Sequence, residues 1–434
     1  MILLTIMVVF LICLFLGVPV VFSLIIASSL PLLFEPLVSL TQASSIMIES
    51  FSSFTLLAIP LFILTGALMN LTGVTDDLIY ISKALVGKFK GSLAHMNIVT
   101  SIFFGAISGS SVADVASMGR LLIPAMIKAG YSREFAATVT AASSTIGSII
   151  PPSILLIVYG ALAQTSVAAL FVAGIIPGIL IGLTQMVYAY IYARKHDIGE
   201  IDNELLGLKE DEKLSKAVAL RKSIFPISLF VAVIGGILAG IFTATEAAAM
   251  AVMYVLFVAF FIKKERSAKK YYEVTKRATI DSATIYILIA AASLLSWVLT
   301  YYQALDPIVN VFVENNFSPV TFLLMITLLY LIVGTVMEPN SAMLIFVPIL
   351  LPIKTALGID PVLAGIVTVM AIRLGTVTPP YGLSSLLASK IAGTNMMKML
   401  KYILIFVFIY LIAIMIVIFI PQFATFLPEL LLGD

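Results

Sequence analysis

Two pairs of short stretches gather small and polar residues into islands inside long apolar sequence. The first pair is GAISGSSVADVASMGRLLIP at Gly105 to Pro124 and SSTIGSIIPP at Ser143 to Pro152. The second is VMEPNS at Val336 to Ser341 and GTVTPP at Gly375 to Pro380. Ser108, Ser110, Ser111, Ser144, Thr145, Asn340, Ser341, Thr376 and Thr378 supply neutral oxygens, the ligands that hard cations such as sodium prefer. Arg373, next to the Gly375 break, carries a planar fork that can meet a carboxylate in bidentate fashion. Asp114 and Glu338 are carboxylates in apolar surroundings, where ionisable groups are rare and functional by default. Each feature has a plainer reading. Small residues also permit tight helix packing, hydroxyls also satisfy freed backbone groups, the two acids can orient a tip, and the arginine can pair with a local acid or with carbonyls.

Other chemistry finds little support. Enzymatic catalysis needs a nucleophile and base, or a metal cluster, in one place, and the sequence offers one cysteine, Cys13, and two distant histidines, His95 and His196. The chain is therefore expected to be neither an enzyme nor a zinc protein. A net charge of +2, with the basic residues scattered through loops, gives no reason to expect nucleic acid as a partner.

The elements that must hold these stretches are membrane helices. Of 434 residues, 61% are hydrophobic and 11% charged, with a mean hydropathy of +1.15; soluble domains carry about 25% charge. The fold class is all-α and polytopic. Consecutive prolines remove backbone donors and stop a helix, so the runs near 134–164 and 361–390 must break within the bilayer. Broken helices at that depth are tolerated where they line a cavity or are buried in protein. Before each break a re-entrant helical hairpin is expected, at about 92–128 and 319–353, with its tip at the polar island.

The same signals recur. Pro124 and Pro352, Gly147 and Gly375, and Pro151-Pro152 and Pro379-Pro380 are each 228 residues apart, and Gly105 and Gly334 are 229 apart. The chain is expected to be a duplicated unit, with a first repeat at 1–193, a cytoplasmic linker at 194–222 and a second repeat at 223–434. Each repeat reads as span, span, surface arm helix, span, hairpin, broken span, span. A hairpin returns to its own side, so each unit makes five crossings, and an odd number inverts the second unit. Charge agrees. Arg194 to Lys222 and Lys263 to Arg277 each hold seven basic residues, which the positive-inside rule assigns to the cytoplasm, with both termini outside. Glu35 to Phe54, Asp306 to Ser318 and Pro421 to Asp434 hold no lysine or arginine, and Lys354 is the exception among the outer segments. Lys83, Lys88 and Lys90 read as an inner loop. Glu246, Asp281 and Asp306 fall at span ends, where solvated or capping roles are expected. Met1 to Phe15 reads as a retained membrane helix. Discontinuous helices in inverted repeats are the arrangement of many secondary transporters.

At these residues the sequence resembles the large membrane subunit of the tripartite ATP-independent periplasmic (TRAP) transporters. The resemblance is carried by IPLFILTGALM (Ile59 to Met69), GSSVADVASMG (Gly109 to Gly119), TAASSTIGSIIPPS (Thr140 to Ser153), MEPN (Met337 to Asn340) and TVTPPYG (Thr376 to Gly382), and it spans nearly the whole chain. It implies a bacterial or archaeal inner-membrane sodium symporter for organic acids such as sialic acid or C4-dicarboxylates. Its partners would be an extracytoplasmic binding protein and a separately encoded small four-helix membrane subunit. It further implies an elevator in which hairpins and broken helices move within a scaffold. Sodium sites would lie at Ser108, Gly109 and Ser110 with Ser144, Gly147 and Pro151, and at Glu338 and Asn340 with Gly375, Thr376, Thr378 and Pro379. The substrate is expected against Ser111, Asp114, Arg373, Tyr381 and Ser384. The alternative is a sodium/carboxylate symporter of the divalent anion transporter type, which works without a binding protein.

Overall fold

The computed structural model describes residues 2–35, 38, 40–73, 77–198 and 216–433. Every regular element among them is helical. Six helices are long and apolar enough to cross a membrane, so the chain is a multi-pass membrane protein.

α1 (Ile2–Phe15) and α2 (Val20–Ser29) form an antiparallel pair. Their turn is set by Gly17, at φ +80°, and by Pro19. α3 (Leu40–Glu49) is a helix where the first arm helix was expected, and α4 (Ala58–Leu71) follows after two short 3-10 turns. α5 (Asp77–Val86) corrects the expected loop: Lys83 sits in its last turn, and its inner face buries Leu78, Ile79, Ser82 and Val86. The first hairpin is α6 (Ser92–Ser108) and α7 (Ser111–Lys128). The first broken helix is α8 (Arg133–Ser143) and α9 (Ile154–Ala163), and α10 (Val167–Lys195) crosses after it.

Residues 199–215, most of the expected 194–222 linker, lie outside the described residues. α11 (Lys216–Leu238) and α12 (Ala244–Phe257, continued by a π turn to Ile262) are the next helices, and the second is long and apolar enough to cross. Glu246 closes a capping box with Thr243 at the start of α12, the capping role expected of it. α13 (Ala268–Tyr301) differs from expectation. The basic arm helix and the following span form one unbroken helix, because nothing between Lys269 and Tyr301 is a proline or a glycine. α14 (Asp306–Glu314), α15 (Pro319–Gly334) and α16 (Pro339–Ala356) follow, then α17 (Pro361–Gly375) and α18 (Leu383–Ala392), α19 (Met396–Phe419) and α20 (Gln422–Leu432). α14 and α20 occupy segments for which no helix was expected. Lys354, the positive-inside exception, is buried in the last turn of α16, where a cation complements the helix dipole.

Two groups of helices emerge from the packing. α4 lies against α12 and α13, and α13 lies against α2 and α3. Hairpins and broken helices pack on one another: α6 and α7 on α8, α15 on α17, α18 on α7 and α8, and α9 on α16 and α17.

Candidate functional site

Each break is formed by its own sequence. α8 ends at Ser143, a 3-10 turn covers Ile146–Ser148, and the Pro151-Pro152 bond is cis. Ser153 restarts the helix by capping the Leu156 amide while its hydroxyl donates to the Ser148 carbonyl at 2.5 Å. At the second break the Pro379-Pro380 bond is also cis, and Gly382, at φ +39°, opens α18. Polar groups freed there are reclaimed locally. Ser385 Oγ donates to the Val377 carbonyl at 2.7 Å, the Ser384 amide to Thr376 at 3.1 Å, and the Tyr381 amide to Thr335 at 3.2 Å.

Glycine allows hairpin and break to touch. Gly105 on α6 lies backbone to backbone with Gly147, and a Cβ on either would collide with the other's main chain. Gly334 on α15 meets Gly375 in the same way.

The tips differ in chemistry. At the first, Gly109 turns the chain at φ +60° and Ser110 caps α7 by accepting from the Ala113 amide at 3.3 Å. At the second, Glu338 caps α16, accepting from the Ser341 amide at 3.0 Å and from Asn340 Nδ2 at 2.7 Å. A carboxylate at a helix N-terminus is stabilised by the dipole.

Both tips open onto one cavity of about 380 Å³. One wall is α4, through Ile63, Gly66, Ala67 and Asn70, and α13, through Asp281 and Ile285. The i, i+3, i+4, i+7 spacing on α4 and the i, i+4 spacing on α13 mean that each helix presents a single face. The other wall holds Gly109, Ser110, Glu338, Pro339, Asn340, Arg373, Thr376 and Ser384. Arg373 is 7% exposed. Its Nη1 donates to Ser111 Oγ at 3.0 Å, Ser111 in turn shares a hydrogen bond with Ser148 at 3.3 Å, and Nε is buried with no partner. Asn340 Oδ1 and Ser384 Oγ are likewise buried without partners.

Of the residues expected to meet substrate, Arg373 and Ser384 line the cavity, and Ser111 stands behind it as support for the guanidinium. Asp114 does not line it. Its carboxylate is buried in the first turn of α7, and neither oxygen has a hydrogen-bond partner. Tyr381 is 65% exposed and borders a smaller adjoining cleft of about 190 Å³ with Thr335 and Val336, on the far side of Glu338, Pro339 and Thr376, which line both. Among the residues expected to hold cations, Gly109, Ser110, Glu338, Asn340 and Thr376 reach the cavity, and Gly147, Pro151, Gly375 and Pro379 form the breaks beside it. Ser144 and Thr378 donate to carbonyls of their own helices, Ala141 at 2.8 Å and Leu374 at 2.9 Å. Ser108 ends α6, and its side chain lies outside the described residues. No group of three or more histidine, cysteine or acidic side chains converges among the described residues, so an ion here would rest largely on neutral oxygens.

The reading by residue type missed the α4 and α13 wall. Asp281 was expected to be solvated or to cap a span end; it is exposed, but it lies within the unbroken α13 and borders the cavity, and the one available signal was its i+4 spacing to Ile285.

Comparison with known proteins places the chain in a family. A family model described as the tripartite ATP-independent periplasmic transporter, DctM component, matches residues 7–423. The chain is 34% identical over 421 residues to the sialic acid TRAP transporter large permease SiaM of Vibrio cholerae, covering 97% of each. It is 36% identical over 438 residues to the C4-dicarboxylate large permease DctM of the same organism, covering 96% of this chain and 95% of that one. It is 35% identical over 412 residues to the isethionate permease DctMQ of Oleidesulfovibrio alaskensis, matching 94% of this chain and 64% of that longer protein. In fold it is similar to MtrF of Neisseria gonorrhoeae, described as illuminating a class of antimetabolite efflux pumps, with a TM-score of 0.61 and 12% identity over 92% of this chain and 94% of that one.

Proposed function

The chain belongs to the DctM component family of the tripartite ATP-independent periplasmic transporters, and on that premise we propose that it carries out sodium-coupled uptake of an organic acid across the inner membrane. It is a transporter permease rather than an enzyme. The observation that carries the substrate reading is Arg373: a buried guanidinium in the wall of a cavity, with one arm held by Ser111 and Nε unpartnered. Leaving a buried donor unsatisfied costs about 1 to 3 kcal/mol or more, which a substrate carboxylate accepting from the fork would recover. The coupling ions rest at the tips beside the breaks, where Asn340 Oδ1 faces no donor and Glu338 offers a carboxylate.

The architecture we propose is an inverted repeat, 1–193 and 223–434, joined by a cytoplasmic linker at 194–222. Its support is the recurring offset together with paired packing. α4 on α12 has its counterpart in α13 on α2, and α18 on α8 has its counterpart in α9 on α17. The hairpins and broken helices form the moving body of an elevator, and the other spans form its scaffold. The cavity opens toward the cytoplasm, because Asn70 ends α4 just before the lysines at 83, 88 and 90, and Asp281 follows the basic run from Lys263 to Arg277. The partners are a separately encoded small membrane subunit and an extracytoplasmic binding protein; the longer DctMQ relative, whose name joins M and Q, supports the first.

Vesicles holding this chain with its small subunit, given a substrate-loaded binding protein outside, test the reading. Accumulation should require an inward sodium gradient, and undiminished accumulation without sodium overturns the coupling. Accumulation without the binding protein would favour the divalent anion transporter type instead. A cysteine at Ser267 should label only from the cytoplasm and one at Leu432 only from outside. Labelling of both from one side removes the inverted repeat.

A further inference from the structure

The two walls of the cavity carry different charge. On the hairpin side Glu338 is already spoken for, capping α16 and holding Asn340 at 2.7 Å, and Arg373 is the one cation among the described lining residues. On the scaffold side Asp281 is exposed and makes no hydrogen bond or ion pair among the described residues. It shares its face of α13 with Ile285, which also lines the cavity. Asn70 on α4 completes that wall. A ligand whose carboxylate reaches Arg373 therefore points its other end at a free carboxylate and an amide.

We infer that the site is built for an acid with a single carboxylate whose far end carries hydrogen-bond donors, hydroxyl, amide or ammonium, and that Asp281 rejects dicarboxylates. This rests on the reading of Arg373 as the carboxylate partner. Its warrant is that specificity is a difference of affinities, often achieved by setting a like charge against the wrong ligand. A second carboxylate on the substrate would stand against the carboxylate of Asp281 across one cavity, where like charges near a protein surface repel more than in bulk water. A hydroxyl or ammonium at the same place would donate to Asp281 and gain a charge-assisted bond. A sodium ion at the second tip would offset Glu338, on the opposite wall, and leave Asp281 as it is.

The test is direct binding to the purified permease with its small subunit in sodium, measured by calorimetry, with N-acetylneuraminate, ectoine and succinate as probes. The first carries one carboxylate with hydroxyl and amide donors, the second one carboxylate with a cationic ring, and the third two carboxylates. At least one of the first two should bind, and succinate should bind about tenfold more weakly or worse. Binding of N-acetylneuraminate alone assigns a hydroxyl or amide to Asp281, and binding of ectoine alone assigns a cationic donor; both support the inference. Asp281→Asn should narrow the gap by about tenfold, weakening the donor-bearing probe and admitting succinate. If succinate binds the unmodified protein as tightly as the others and Arg373→Lys abolishes that binding, the role of Asp281 falls while that of Arg373 stands. If Arg373→Lys changes no affinity, or no probe binds in sodium, both fall.

Discussion

The two hairpin tips face the same cavity with opposite chemistry. The first is closed by a glycine and a serine, and behind it hydroxyls and one amide bond to one another: Ser111 to Ser148 at 3.3 Å, Ser101 to Ser143 at 3.0 Å, and the Asn97 amide to Thr140 at 2.6 Å. The second is closed by a carboxylate, stands beside the only arginine of the cavity among the described residues, and leaves Asn340 Oδ1 and Arg373 Nε without partners. A duplicated backbone thus fixes where the helices break without fixing what is presented there. The first tip bonds its hydroxyls among themselves and leaves only the Asp114 carboxylate buried without a partner, away from the cavity, whereas the second leaves its unpartnered atoms in the cavity wall.

The sharpest way to test that contrast is at the glycine crossings. Gly105 and Gly147 approach more closely than Gly334 and Gly375. Gly105→Ala is therefore expected to cost about 3 kcal/mol or more and to leave little folded protein, and Gly334→Ala about 1 to 2 kcal/mol. Thermal melting of the purified variants checks the order, and equal losses would mean that the two crossings bear equal load. Next in size is Arg373→Lys, which keeps the charge and removes the fork. Uptake should fall by about 30-fold or more, while assembly with the small subunit and stabilisation by sodium persist. A merely structural arginine would instead give poor folding with normal affinity in the surviving protein.

Asn340→Ala removes an oxygen that nothing else uses, so the sodium concentration for half-maximal stabilisation should rise by about fivefold to tenfold. An unchanged value takes Asn340 out of the ion site. Ser110→Ala is expected to act least. Losing the cap costs about 1 kcal/mol of stability, and the sodium response should shift by less than for Asn340→Ala, since the backbone carbonyls of the tip survive the substitution. A larger sodium shift at Ser110 than at Asn340 would reverse the comparison drawn between the tips.

The sequence by itself determined where the helices stop. Consecutive prolines, a glycine in each hairpin and islands of serine, threonine and asparagine act locally, through missing donors and missing side chains, and α6 to α9 and α15 to α18 fall within a few residues of where those signals put them. It also identified Arg373, because a lone cation beside a break has few places to go. What it left undecided depends on neighbours distant in the chain. Whether Asp114 reaches the cavity or lies buried beneath the tip, whether Tyr381 faces it or another cleft, and whether Asp281 meets solvent or substrate are set by how α7, α18 and α13 are rotated against their partners. Arg373 finds Ser111, 262 residues away, only through that packing. Helix rotation follows from the summed burial of a whole face, spread over many residues, and leaves no mark on any one of them.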